Sequence, residues 1–207
     1  MHPSRLITCV YLVMATVIPL QAQWEIGGII DLNIAGISVI PKPRSESYSS
    51  RFGPGIGAVA KRQVTDRIGF RAEPMFLQKG ARLHEGGDVI VFNINYLEFP
   101  LLITYDFRMD GPLVPYAMIG PSIGLLAGAS FRYSDGWKQD ETDNTRFFDF
   151  GAGLGGGVEL PRGNKNFFAE TRYVVGFVNV NRDQDESSVY NRGLQILVGV
   201  TIPVARN

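Results

Sequence analysis

The segment that most constrains this chain is residues 90–107, IVFNINYLEFPLLITYDF. In its second half Leu97, Phe99, Leu101, Ile103, Tyr105 and Phe107 fall on one face of an extended chain. Glu98, Pro100, Thr104 and Asp106 fall on the other, with Leu102 the one apolar residue among them. Side chains of a strand point alternately to its two faces, so this pattern fixes a two-sided strand. A strand that crosses a bilayer needs roughly 9–11 residues, apolar toward lipid and polar toward the lumen. Upstream, the apolar residues Phe92 and Ile94 are even-numbered, whereas Leu97 and Phe99 are odd. A bulge near Asn95 and Tyr96 is expected to reconcile the two halves.

Length alone allows one or two domains. With 24 Gly and 13 Phe among 207 residues, many short alternating runs favour an all-β architecture. Mean hydropathy is near zero. That excludes a bundle of membrane helices but not a barrel, in which only every second strand residue must be apolar. The 20 basic residues balance the 20 acidic ones, so nucleic acid is not an expected partner. Two His and one Cys make a His/Cys metal site unexpected.

Residues 1–22 read as a cleaved signal peptide. Arg5 supplies the positive start, Leu6 to Leu20 the apolar core, and Leu20-Gln21-Ala22 a cut before Gln23. The apolar run is short for a membrane span, and Pro19 interrupts its end. Cys9 precedes the apolar core, the wrong side for a lipidated cysteine. Cleavage removes the Cys and His2, and loss of Arg5 leaves 19 basic against 20 acidic residues, a net charge of −1. Residues 23–207 then form the barrel domain.

Eight alternating stretches follow, at residues 24–35, 52–62, 68–78, 90–107, 114–126, 147–160, 167–178 and 193–204. Short turns are expected at 63–66, 108–111 and 161–166, and longer polar loops at 36–51, 134–145 and 179–189. A connector at 84–88 breaks this alternation of short and long. Short turns at one rim and long loops at the other characterise outer-membrane barrels. An even strand count puts both ends of the mature chain on the short-turn, periplasmic side. The expected fold is therefore an all-β, eight-stranded, antiparallel up-and-down transmembrane β-barrel, closed because an open sheet edge in lipid leaves unpaired backbone groups.

A soluble sandwich is the rival. Mid-strand charges argue against it: Arg71 with Glu73, Glu98, Glu159, and Glu170 with Arg172. In a barrel of about eight strands the interior is filled by side chains, where such ions pair with each other. Glycines recur on the same face, at 53, 55 and 57 and at 151, 153, 155 and 157, leaving room for long side chains in a narrow lumen. Aromatics sit near strand ends, among them Trp24, Phe52, Tyr105, Phe107, Phe147 and Phe167, where interfacial girdles form.

Asn95-Tyr96-Leu97-Glu98-Phe99-Pro100-Leu101-Leu102 resembles the tyrosine–leucine–glutamate–proline strand of the PorT-like outer-membrane β-barrels. Pro115-Tyr116 with Gly120-Pro121-Ser122, Asp149-Phe150-Gly151 through Gly157-Val158-Glu159, and Arg172-Tyr173 resemble the strands that follow. The resemblance spans essentially the whole mature chain. It implies an eight-stranded outer-membrane barrel; the name-giving member belongs to a protein secretion apparatus, while most relatives have no assigned activity.

Other motifs have plainer readings. Gly151-Ala152-Gly153-Leu154-Gly155-Gly156 fits G-x-G-x-x-G, but a strand and Pro161 follow where a dinucleotide site needs a helix. His84, beside Glu85 and Asp88, is the one His of the mature chain and the one base a barrel hydrolase or acyltransferase would have. Asp135, Asp140, Glu141 and Asp143 form an acidic loop without EF-hand spacing, offset by Lys138, Arg132 and Arg146. The expectation is an outer-membrane anchor or interaction component of a secretion or envelope complex, without catalytic residues, cofactor or metal. Arg71, Glu73, Glu98, Glu159, Glu170 and Arg172 would form its interior charge network. Its partners would be outer-membrane lipids and other envelope or secretion proteins. The alternatives are a narrow channel for small solutes and a membrane-embedded hydrolase or acyltransferase.

Overall fold

In the computed structural model, residues 23–41, 47–85, 88–107, 109–183 and 187–204 are described. The signal segment, residues 1–22, lies outside them. The strands are β1 (Trp24–Ile40), β2 (Ser47–Ser49), β3 (Arg51–Gln63), β4 (Ile68–Ala72), β5 (Met75–Glu85), β6 (Asp88–Asp106), β7 (Val114–Arg132), β8 (Lys138–Asp140), β9 (Phe148–Arg162), β10 (Lys165–Gly176) and β11 (Ser188–Pro203).

Eight positions make the ring, because β4 and β5 are one strand interrupted at Glu73 and Pro74. Each position pairs antiparallel with the next in sequence, from β1 through β3, β4/β5, β6, β7, β9 and β10 to β11. The ring closes where β1 pairs with β11 from Glu25↔Pro203 to Ile40↔Ser188. At the interruption both neighbours stay bonded: Glu73 N donates to Pro100 O at 3.1 Å and Ala58 N to Pro74 O at 3.0 Å. β2 and β8 add short pairs to β5 and β7 at the long-loop rim.

Outward residues form an apolar belt. Ile30, Leu32, Ile56, Phe70, Leu97, Leu101, Ile103, Ile119, Leu154, Ile196 and Val198 are all exposed, Ile56 at 63% and Leu154 at 62%. Aromatics edge the belt. Toward the short turns, Tyr105 and Phe107 meet edge-on at 5.2 Å and Arg62 lies over Trp24. Toward the loops, Phe150 and Phe177 lie 6.1 Å apart. The β9–β10 connection is a two-residue turn, Gly163-Asn164, in which Gly163 has φ 63°. Glycine suits a positive φ at the first central residue of a hairpin turn.

Three sequence expectations change. First, the register does shift at Asn95/Tyr96, but the extra residue is Ala127 on β7. The facing of β6 therefore never reverses. Phe92 and Ile94 stay inside, and Ile94 packs with Tyr96, Ala129 and Val180. Second, the turn or short loop expected at 84–88 is narrower than its bounds. His84, Glu85 and Asp88 belong to a hairpin in which Glu85 pairs with Asp88. Third, strands run further toward the long-loop rim than their alternation indicates, β1 to Ile40, β5 to Glu85 and β7 to Arg132. Beyond the bilayer both faces meet water, so the ladder continues where the apolar–polar pattern has stopped.

Candidate functional site: the interior charge network and its outer mouth

Because β-strand parity sends every second side chain inward, charges from strands far apart in sequence meet inside the ring. At mid-barrel, Arg71 (β4), Glu73, Glu170 and Arg172 (both β10) form one cluster. Arg71 contacts Glu73 and Glu170 at 2.7 Å each, and Arg172 contacts Glu73 at 2.6 Å and Glu170 at 3.8 Å. Both contacts to Glu73 lie off the hydrogen-bond axis, so they are Coulombic rather than aligned forks. Tyr116 donates its hydroxyl to Glu170 at 2.6 Å, and the Arg71 guanidinium lies over the Phe168 ring at 4.6 Å. Arg172 donates Nε–H to Gln195, which donates to Asp31 at 3.1 Å. Glu73 is 0% exposed and Arg172 2%. Ions this buried are costly unless paired, and here two cations face two glutamates.

Glu98 and Glu159 belong to separate clusters. Nearer the loops, Lys79 Nζ lies 2.5 Å from Glu98 and 3.1 Å from Asp149. Ser122 donates to Glu98 at 2.5 Å and Asn191 to Asp149 at 2.9 Å. Nearer the turns, Lys61 pairs with Glu159 at 2.5 Å. Glu25 there accepts from Asn166 and Thr201. The six residues singled out from sequence thus all face inward, four of them in one cluster and two apart.

The glycines are part of this arrangement. A Cβ at Gly157 would stand 2.7 Å from Glu170 Cβ and 2.9 Å from the Tyr116 hydroxyl. One at Gly124 would stand 2.7 Å from Glu98 Oε1. The bare backbone at these two places is what lets the ionic side chains lie across the lumen.

Sequence reasoning missed Lys61, Lys79, Asp149, Tyr116, Gln195 and Asp31 as members of these clusters. Parity carried a signal for Lys61, which shares its face with Gly55 and Gly57. Lys79 lay just beyond the expected end of its strand, so nothing in the alternation marked it.

Above the Lys79 cluster the lumen is sealed by apolar side chains. Val180, from the β10–β11 loop, folds in against Ile94, Tyr96 and Ala129. The loop is tied down there: Arg146 N donates to Val180 O and Val180 N to Val189 O, each at 2.8 Å. Outside this seal a cavity of about 760 Å³ opens between the loops.

The remaining candidates sit at the long-loop rim. His84 Nε2 lies 2.9 Å from Ser49 Oγ, a contact of the length that a base and a hydroxyl nucleophile need. Both residues are exposed on paired strands β2 and β5. Among the described residues, none is bonded to the other ring nitrogen to orient it. In the acidic loop, Asp135 and Asp140 each accept a backbone N–H two residues on, from Trp137 and Thr142. The Thr142 hydroxyl, and then its N–H, hold the Asp140 carboxyl below the usual carboxylate range. Glu141 turns inward and accepts from Gln139 and Asn144. Among the described residues, no three His, Cys, Asp or Glu side chains converge at metal-ligand spacing.

Comparison with known proteins agrees with this architecture. The model of the family described as "Outer membrane protein beta-barrel domain" matches residues 20–182. A search of curated proteins finds no significant match. Among solved structures, the Neisserial surface protein A is similar over 87% of this chain and 97% of its own, with 17% identity and a TM-score of 0.54. OprG of Pseudomonas aeruginosa is similar over 89% of this chain and 97% of its own, with 12% identity and a TM-score of 0.50. At such identities the likeness is one of fold.

Proposed function

The chain belongs to the outer membrane protein beta-barrel domain family and resides in the outer membrane, and from that premise we propose that it is a non-conducting, non-enzymatic barrel. It anchors a set of extracellular loops and hairpins in the bilayer and offers them to another envelope component. The observation that carries this reading is the interior: Arg71, Glu73, Glu170 and Arg172 neutralise one another across the lumen, and Val180 with Ile94 and Tyr96 closes it above. In a ring of eight strands there is little space besides. Lipid is the expected neighbour of the apolar belt. Residues 1–22 would be removed on export.

The finer family reading, PorT-like, rests on the Asn95–Leu102 motif and the resembling strands that follow it. Tyr96, Glu98 and Pro100 supply its inward face, and Leu97, Phe99 and Leu101 its outward face. It favours a partner in a secretion or envelope complex over nucleic acid or a small-molecule substrate. Against a hydrolase or acyltransferase stands the exposure of His84 and Ser49 on an open strand pair, where water competes with any acyl substrate.

Planar-bilayer recording of the purified chain tests the reading against the channel alternative. No stepwise conductance is expected from the wild type. Discrete single-channel openings in the wild type would refute the plugged reading and make the narrow channel the function. Co-purification in mild detergent then identifies the partner.

A further inference from the structure

The cavity outside the Val180 seal has a lining whose chemistry is specific. Its volume, about 760 Å³, lies within the few hundred to a thousand cubic ångströms usual for small-ligand sites, and it occupies the mouth of a β-barrel. Two kinds of group meet there. Phe92 and Phe131, whose rings lie 4.6 Å apart, form an aromatic wall with Val39 and Val189 beside it. Beside this wall, where its N–H donates to Ala129 O of β7, is Glu141, 7% exposed and held by amide donors from Gln139 and Asn144. Among the described residues Glu141 has no ion pair, and no Lys or Arg lines the cavity. Two loop cations line an adjoining depression instead, where Arg146 donates to Asn181 O and Arg182 to Asp143 O.

Amide donors leave the charge of Glu141 uncompensated in a largely desolvated position, where a counter-charge gains most. An aromatic wall attracts the same kind of counter-charge through its ring faces. Both features select a cation, and the surrounding valines select one with an apolar body.

We propose that this mouth cavity is a binding site for a small amphipathic organic cation, an amine or quaternary ammonium, with its charged head at Glu141 and its apolar part against Phe92 and Phe131. The site lies outside the seal, so the proposal stands whether or not the lumen below conducts.

The test is calorimetric titration of the full chain in nanodiscs, with empty nanodiscs subtracted. Three probes of similar size would be used: benzyltrimethylammonium, benzyl alcohol and benzenesulfonate. Saturable binding of benzyltrimethylammonium is expected, with the neutral and anionic probes weaker by about tenfold or more, as loss of a desolvated cation–π and ionic contact implies. Glu141→Gln is expected to weaken the cation by about tenfold and leave benzyl alcohol unchanged. Phe131→Leu should weaken it too, with heat-modifiable migration on gels retained. Heat no greater than empty nanodiscs give, equal affinity for all three probes, or a Glu141→Gln chain that binds the cation as the wild type does would each overturn the proposal. Should Glu141→Gln fail to fold, the three-probe series on the wild type decides alone.

Discussion

The part of the barrel within the bilayer and the part projecting beyond it obey different rules, although the same strands build both. Within the bilayer, each strand turns an apolar face to lipid, and its inward face mixes buried apolar side chains such as Ile29, Leu77 and Leu197 with ions that, among the described residues, each have a polar or charged partner. Beyond it, β5 and β6 continue as a hairpin to Glu85 and Asp88, β7 runs on to Arg132, and β2 and β8 join as short additions. There the faces are mixed, and serine, histidine and arginine stand outward. In lipid every backbone group must be bonded inside the ring and every outward side chain must be apolar. Water relaxes both demands, so the projecting part keeps its ladder for shape while its side chains are free to serve recognition.

The sharpest way to break this comparison is to remove one ion from the mid-barrel cluster. Arg172→Met leaves Arg71 as the one cation facing both Glu73 and Glu170 in the mid-barrel cluster and is expected to destabilise the fold by about 3–5 kcal/mol, read from the urea midpoint of tryptophan fluorescence in detergent. A midpoint shift below about 1 kcal/mol would mean that the cluster is hydrated and the lumen open, contrary to the plugged reading. Next comes the lipid face. Ile56→Arg sets a charge in the apolar belt and should cost about 2–4 kcal/mol by the same measurement. The smallest effect belongs to the projecting part. His84→Ala loses only the exposed bond to Ser49, so a change within about 0.5 kcal/mol and unaltered heat-modifiable migration are expected. A large loss there would show that the hairpin is coupled to the barrel rather than standing on it.

The three positions also measure how much was readable beforehand. Ile56 lies in a Gly-flanked alternation whose outward side is plain from Phe52 to Ala60. Arg172 could be assigned inward by its parity with Glu170, but its partner Glu73 lies on the far side of the ring. Arg71 and Glu170, the other pair, are 99 residues apart in sequence. No local pattern reports which inward ions will meet across a lumen. For the same reason Glu98 and Glu159, which share a face with the others, end in different clusters, each set by a lysine at its own height, Lys79 and Lys61. His84 illustrates the third case. In a segment without alternation, composition suggests a loop, whereas pairing with Ser47 and Val89 makes it strand.

What the chain order determines by itself is the two-faced strand, its repetition eight times and, except at the 84–88 connector, the alternation of short and long connections. Lipid on one side and a crowded lumen on the other leave no freedom in that pattern. Tertiary structure alone decides which charges meet, that Val180 folds in to seal the mouth, and that Ala127 rather than a β6 residue takes up the register shift. Those outcomes depend on strand stagger around a closed ring, which brings together residues whose separation along the chain carries no periodic signal.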